Sequence, residues 1–147
     1  MELRKRFAAG VSVAAIAVSM LVGQAPVSAE PAGGPISAAA TCYGGAVSFP
    51  TRTMGAASDR YLPSASSYYT TTSRCTDINI KFANPEQGNV QVRVCWLSTG
   101  TCNSWKTVLM DTAWKVIATD VLNGTRFRVQ IYNFRDWDTT FGGQVAF

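Results

Sequence analysis

From Cys75 onward, apolar side chains recur at every second position, a period that builds strands and not helices. In residues 77–83, Ile78, Ile80 and Phe82 face one way, and Asp77, Asn79 and Lys81 face the other. In residues 90–96, Val90, Val92, Val94 and Trp96 alternate with Gln91, Arg93 and Cys95. Residues 84–89, with Pro85 and Gly88, have turn chemistry. The two runs are therefore expected to pair as a hairpin with their large apolar residues on one face.

A second hairpin is expected around Asn123-Gly124, the dipeptide favoured where both central turn residues need positive φ. A two-residue loop there sets Ala118 opposite Val129 and Val116 opposite Ile131, with Trp114 and Phe127 on the same face. Thr119, Ile117 and Lys115 then share the other face with Arg128, Gln130 and Tyr132. Residues 43–49 and 105–110 read as strands, and residues 50–74 must contain at least one more, expected near Tyr68-Tyr69. Residues 141–147 are expected to close the sheet at the C-terminus. Six to eight short strands, no internal repeat and no helical period after the N-terminus describe an all-β domain. It is expected to be a small disulfide-stapled antiparallel sandwich or barrel-like domain over residues 42–147.

The N-terminus reads as a secretory signal. Arg4, Lys5 and Arg6 precede an uncharged, Ala- and Val-rich run over residues 7–22, and Val27-Ser28-Ala29 has small residues where a signal peptidase needs them. The run is short for a bilayer span, which takes about 20 residues. Cleavage after Ala29 leaves a Pro-, Gly- and Ala-rich leader over residues 30–41. All four cysteines lie beyond it, and an even number in an exported chain reads as disulfides. Residues 96–101 form a turn-like stretch that can return Cys95 to Cys102, which leaves Cys42 for Cys75. The spacing lacks CxxC pairs and the chain has no histidine, which argues against structural zinc.

Of 13 Lys+Arg and 9 Asp+Glu, the signal removes Arg4, Lys5, Arg6 and Glu2. The remaining ten cations and eight anions, net +2, carry no argument for nucleic acid. Without histidine, Ser-His-Asp and Cys-His catalysis are excluded, and paired cysteines are not nucleophiles. A carboxylate pair is left, with Asp136 and Asp138 closest in sequence, but they lie in a polar loop with no apolar partner to raise a pKa. They are also too few for calcium, which wants six or more oxygens. No catalytic residue, metal or cofactor is assigned.

Trp137 stands between these two acids. An indole face flanked by carboxylates can stack on a pyranose while the acids accept from its hydroxyls, and loops on rigid β-scaffolds commonly carry binding. Alternatively, the ring folds back to plug the end of the sandwich. Trp137, Asp136, Asp138 and Tyr132 are the candidate ligand-binding residues. Trp96, Trp105 and Trp114 read as core or half-buried sheet residues, and Tyr61, Tyr68 and Tyr69 as a polar-aromatic patch or an edge strand. Lys81, Arg93, Arg126 and Arg128 fall on polar strand faces, where they would form a cationic patch suited to an anionic wall polymer if their strands were neighbours. Asn123-Gly124-Thr125 matches a glycosylation sequon, but the turn accounts for it and the signal has a bacterial style.

Residues 68–82, 90–108 and 114–129 resemble small secreted proteins common in actinobacteria, over roughly residues 68–147. The resemblance implies export and a single β-domain and assigns no site residues. The expected function is a secreted, non-enzymatic domain that binds a cell-wall or environmental glycan. The alternative is an interaction protein such as a protease inhibitor, presenting Leu97-Ser98-Thr99-Gly100 from the Cys95–Cys102 loop. Neither needs nucleic acid, nor a membrane after cleavage. Intact-mass analysis of the exported protein should give a chain beginning at Glu30; a retained N-terminus would contradict the cleavage site.

Overall fold

A computed structural model describes residues 41–83 and 88–147. The signal sequence, nearly all of the leader and most of the turn at 84–89 lie outside the described residues. The described chain forms two antiparallel sheets packed face to face. The first holds β1 (Val47–Met54), β9 (Thr139–Ala146), β4 (Ile78–Phe82) and β7 (Lys115–Ala118), in that order. The second holds β2 (Ser58–Leu62), β8 (Arg126–Asn133), β5 (Asn89–Trp96) and β6 (Lys106–Leu109). The short β3 (Tyr69–Thr70) also pairs with β8, in line with β2, so the two form one edge strand interrupted by residues 63–68. Nine strands are described, more than the six to eight expected, because the polar stretch 50–74 contributes the end of β1 and all of β2 and β3.

The alternation places residues as expected. Ile78, Ile80 and Phe82 meet Val90, Val92, Val94, Phe127, Val129 and Ile131 across the interior, all nearly inaccessible. Each such side chain contributes about 1.5–3 kcal/mol on burial. Phe127 and Phe147 meet edge to face at 5.3 Å, and Tyr69 packs against both.

Strand partners differ from expectation. The runs at 77–83 and 90–96 are not a hairpin: β4 pairs with β7 and β9, β5 with β6 and β8, and the two face each other across the core. The Asn123-Gly124 hairpin is also absent, since β7 and β8 belong to different sheets. Asn-Gly does turn, with Gly124 at φ +77°, but inside an arch that carries the chain between sheets. That arch begins earlier, where Asp120 adopts φ +54° and the Val121 N–H donates to Thr76 O. Buried Thr71 holds its far end: its hydroxyl donates to Leu122 O at 2.6 Å and accepts from the Thr125 N–H at 2.9 Å. A bulge opposite Ile78 and Asn79 also leaves Ala118 buried as expected but exchanges Val116 and Ile117. Ile117 is buried and Val116 is exposed. Likewise β9 does not close an edge but lies between β1 and β4.

The disulfides are Cys42–Cys75 and Cys95–Cys102, as expected. In the chain-entropy model, the 33-residue span of the first contributes about 4 kcal/mol and the 7-residue span of the second about 2.5. The first pins residues 41–46 near the outer face of β4, where Tyr43 stacks on Trp114 at 4.7 Å. The free edge of β7 is covered from β6 and the loop before it: the Asn103 amide donates to Ile117 O and Lys106 Nζ to Val116 O.

Asn133, at the end of β8, is fully buried. Its amide nitrogen donates to Gly55 O (3.0 Å) and Trp137 O (2.8 Å), and its oxygen accepts from the Arg135 N–H (3.2 Å). One side chain thus ties the β1–β2 corner to the β8–β9 loop. Asn133→Ala strands these groups and should cost about 2–4 kcal/mol in a denaturant melt; a loss below about 1 kcal/mol would show that the corner is held by other contacts. Tyr69 gives a second test. Burial pushes its pKa up to about 12, against about 10 in an unfolded chain. The folded state therefore keeps the proton longer, and stability present below pH 10 is lost between pH 10 and 12. Tyr69→Phe should flatten that alkaline loss, and an unchanged slope would contradict it.

Candidate functional site

Residues 134–138 join β8 to β9 at the end of the sandwich where the β1–β2 corner also lies. The loop is braced from three sides. Asn133 holds the carbonyl of Trp137 and the N–H of Arg135 from within the core. The carbonyl of Arg135 accepts from the Ala57 N–H at 2.9 Å, across the corner. The Arg135 side chain then runs back over β5, where its Nε donates to Asn89 O at 3.2 Å. Gly88 sits beneath that guanidinium at φ +70°, and a Cβ there would collide with it. The positive φ is what favours glycine here, since the guanidinium is the end of a flexible side chain and can move aside.

The Arg135 guanidinium lies 5.0 Å from the centroid of the Trp137 ring, a cation–π contact that braces the indole. Trp137 is nonetheless 56% exposed, and Phe134 in the same loop is 46% exposed. The ring does not plug the sandwich. Asp136 and Asp138 flank it in solvent. Among the described residues the only ion pair is Lys115–Asp111, so neither flanking acid is engaged with a cation. That pair also holds the Asp111 carboxyl below the usual carboxylate range, through its hydrogen bond from Lys115. No three metal-ligating side chains gather among the described residues.

Tyr132 does not join this loop. It points outward from near the end of β8, and its ring meets Trp105 at 5.9 Å on the outer face of the second sheet. There Arg93 lies over the other ring of that pair, 4.3 Å from Trp105, and its Nε donates to Gln130 Oε1 at 2.8 Å. Gln130 Nε2 donates in turn to Asp59. The roles of Trp105, Gln130 and Asp59 here were missed in the sequence. The alternation put Gln130 and Tyr132 on one face with Arg128, but could not show that the strand of Arg93 lies alongside or that Trp105 reaches the ring of Tyr132.

The expected cationic patch forms in part. Arg93, Arg126 and Arg128 share this outer face, whereas Lys81 belongs to the other sheet, where its Nζ sits 4.8 Å from the Trp114 ring. In the expected bait loop Leu97 is half-buried and its N–H donates to Arg126 O, Gly100 N–H folds back to Trp96 O, and Ser98, Thr99 and Gly100 are exposed. A cleft of about 530 Å³ lies on the first sheet, lined by Ser48, Pro50, Thr51, Lys81, Thr112 and Gln144. Trp137 is not among the residues that line it.

No protein-family model, no curated protein and no solved structure matches the chain, so the site stands on its own geometry.

Proposed function

We propose that this is an exported, non-enzymatic binding domain that holds a cell-wall or environmental glycan against Trp137. The observation that carries the proposal is the ring itself: an indole 56% exposed, yet fixed by a guanidinium below it and by its own carbonyl on Asn133. The exposed indole face, with Phe134 also exposed in the same loop, offers apolar surface that a ligand can cover. A sugar ring covers it well, because its axial C–H bonds meet the indole face while its hydroxyls reach the flanking Asp136 and Asp138. The loop's order precedes binding, so little entropy is lost when a ligand arrives.

Export agrees with the two disulfides, which persist in oxidising compartments. No helix among the described residues is long and apolar enough to cross a membrane.

Trp137→Ala tests the proposal. The variant should melt within about 0.5 kcal/mol of the parent, as exposed positions do. Its retention on insoluble polysaccharide (cellulose, chitin or peptidoglycan, whichever retains the parent) should fall by about 5- to 150-fold, the equivalent of an aromatic stack of about 1–3 kcal/mol. Retention unchanged by the substitution would overturn the assignment of Trp137.

A further inference from the structure

A different surface, independent of the Trp137 loop, carries the strongest further inference. The outer face of the second sheet presents Arg93 on β5 and Arg128 on β8, one register step apart: Arg93 stands opposite Gln130, and Arg128 opposite Cys95. Such diagonal neighbours are about 7–8 Å apart. Each guanidinium is anchored by its Nε alone. Arg93 donates to Gln130 Oε1 at 2.8 Å and Arg128 to Ser67 O at 2.7 Å. No carboxylate pairs with either among the described residues. In both cases the terminal Nη edge, which matches a carboxylate fork, is left without a protein partner among the described residues.

The anchoring reaches into the sheet. Gln130 is 6% exposed although it lies on an outer face, where Arg93 and Asp59 bond its amide and Arg93 in turn lies over Trp105. Its amide is satisfied at both ends, by Arg93 and by Asp59. Asp59 is the carboxylate on this face, against three arginines once Arg126 is included. Beside Arg128, a cleft of about 260 Å³ opens between Tyr61 and the Cys95–Cys102 turn. Trp105 and Tyr132 supply half-exposed rings on the same face.

We propose that this face binds an acidic polysaccharide whose pyranose rings carry carboxylates, a polyuronate. The two Nη edges take carboxylates bidentately, and the rings of Trp105, Tyr132 and Tyr61 favour pyranose over a polyol or phosphate chain. Gln130 acts as a positioning residue that fixes the Arg93 plane.

The test is binding of the intact exported protein to polygalacturonate, with its fully methyl-esterified form and inorganic polyphosphate as comparison polymers. The expected result is saturable binding to polygalacturonate and at least about tenfold weaker binding to both others. Affinity should also fall about tenfold or more between low and high salt. Arg93→Gln and Arg128→Gln should each lower it about fivefold or more, whereas Lys115→Gln, which removes a cation from the first sheet, should stay within about twofold. Should either arginine variant fail to fold, the ester and salt comparisons on the parent still decide. Equal binding to the ester, equal binding to polyphosphate, or no binding at all would overturn the proposal.

Discussion

Phe127, Val129 and Ile131 must leave water on one side of β8 only, and so must Ile78, Ile80 and Phe82 on β4. The rest of the structure depends on that one-sided requirement. Two sheets with one apolar face each can satisfy it only by packing together. Once they do, the outer faces and the ends of the strands are released from packing, and polar and aromatic residues can be placed there for other purposes. The price is a set of connections that must cross between sheets, and these carry the buried polar residues. Thr71 holds the arch at 119–125, and Asn133 holds the corner at Gly55 together with the loop at 134–138.

That division explains what the sequence could tell. The side-chain period reports which residues face the core, so Ile78, Val92 and Ile131 were legible as interior from their spacing alone. It does not report which strand lies alongside. Two amphipathic strands bury the same residues whether they lie side by side in one sheet or face each other across a sandwich. Both expected hairpins failed for this reason. Asn123-Gly124 still makes its turn, but Asp120 bends the chain first, and Thr71, some fifty residues earlier, holds the arch. The bulge that turned Ile117 inward in place of Val116 likewise left no local mark. The disulfides were legible because the 96–101 turn brings Cys95 back to Cys102 and leaves one other pairing.

The candidate site was half legible. Acids beside an indole can be seen in a string of letters; exposure cannot. The exposed indole lies against Arg135, and Arg135 is held by the carbonyl of Asn89, nearly fifty positions away. Tyr132 was grouped with Trp137 through proximity in sequence, but strand alternation sends it to the sheet face, where it joins Trp105 and Arg93. The domain consequently offers two built surfaces of different chemistry. One is an exposed indole at the end of the sandwich, with one arginine and two acids around it. The other is a flat cationic face of anchored guanidiniums.

The central claim is that Trp137 is covered by a glycan when the protein works. Selective oxidation of tryptophan, followed residue by residue by mass spectrometry, measures that most directly, because Trp137 is the tryptophan that stands 56% exposed. Free in solution, Trp137 should oxidise first. On a polysaccharide that retains the protein, its rate should fall several-fold while that of half-buried Trp114 on the first sheet is unchanged. Oxidation of Trp137 at the same rate on the retained protein would contradict the account.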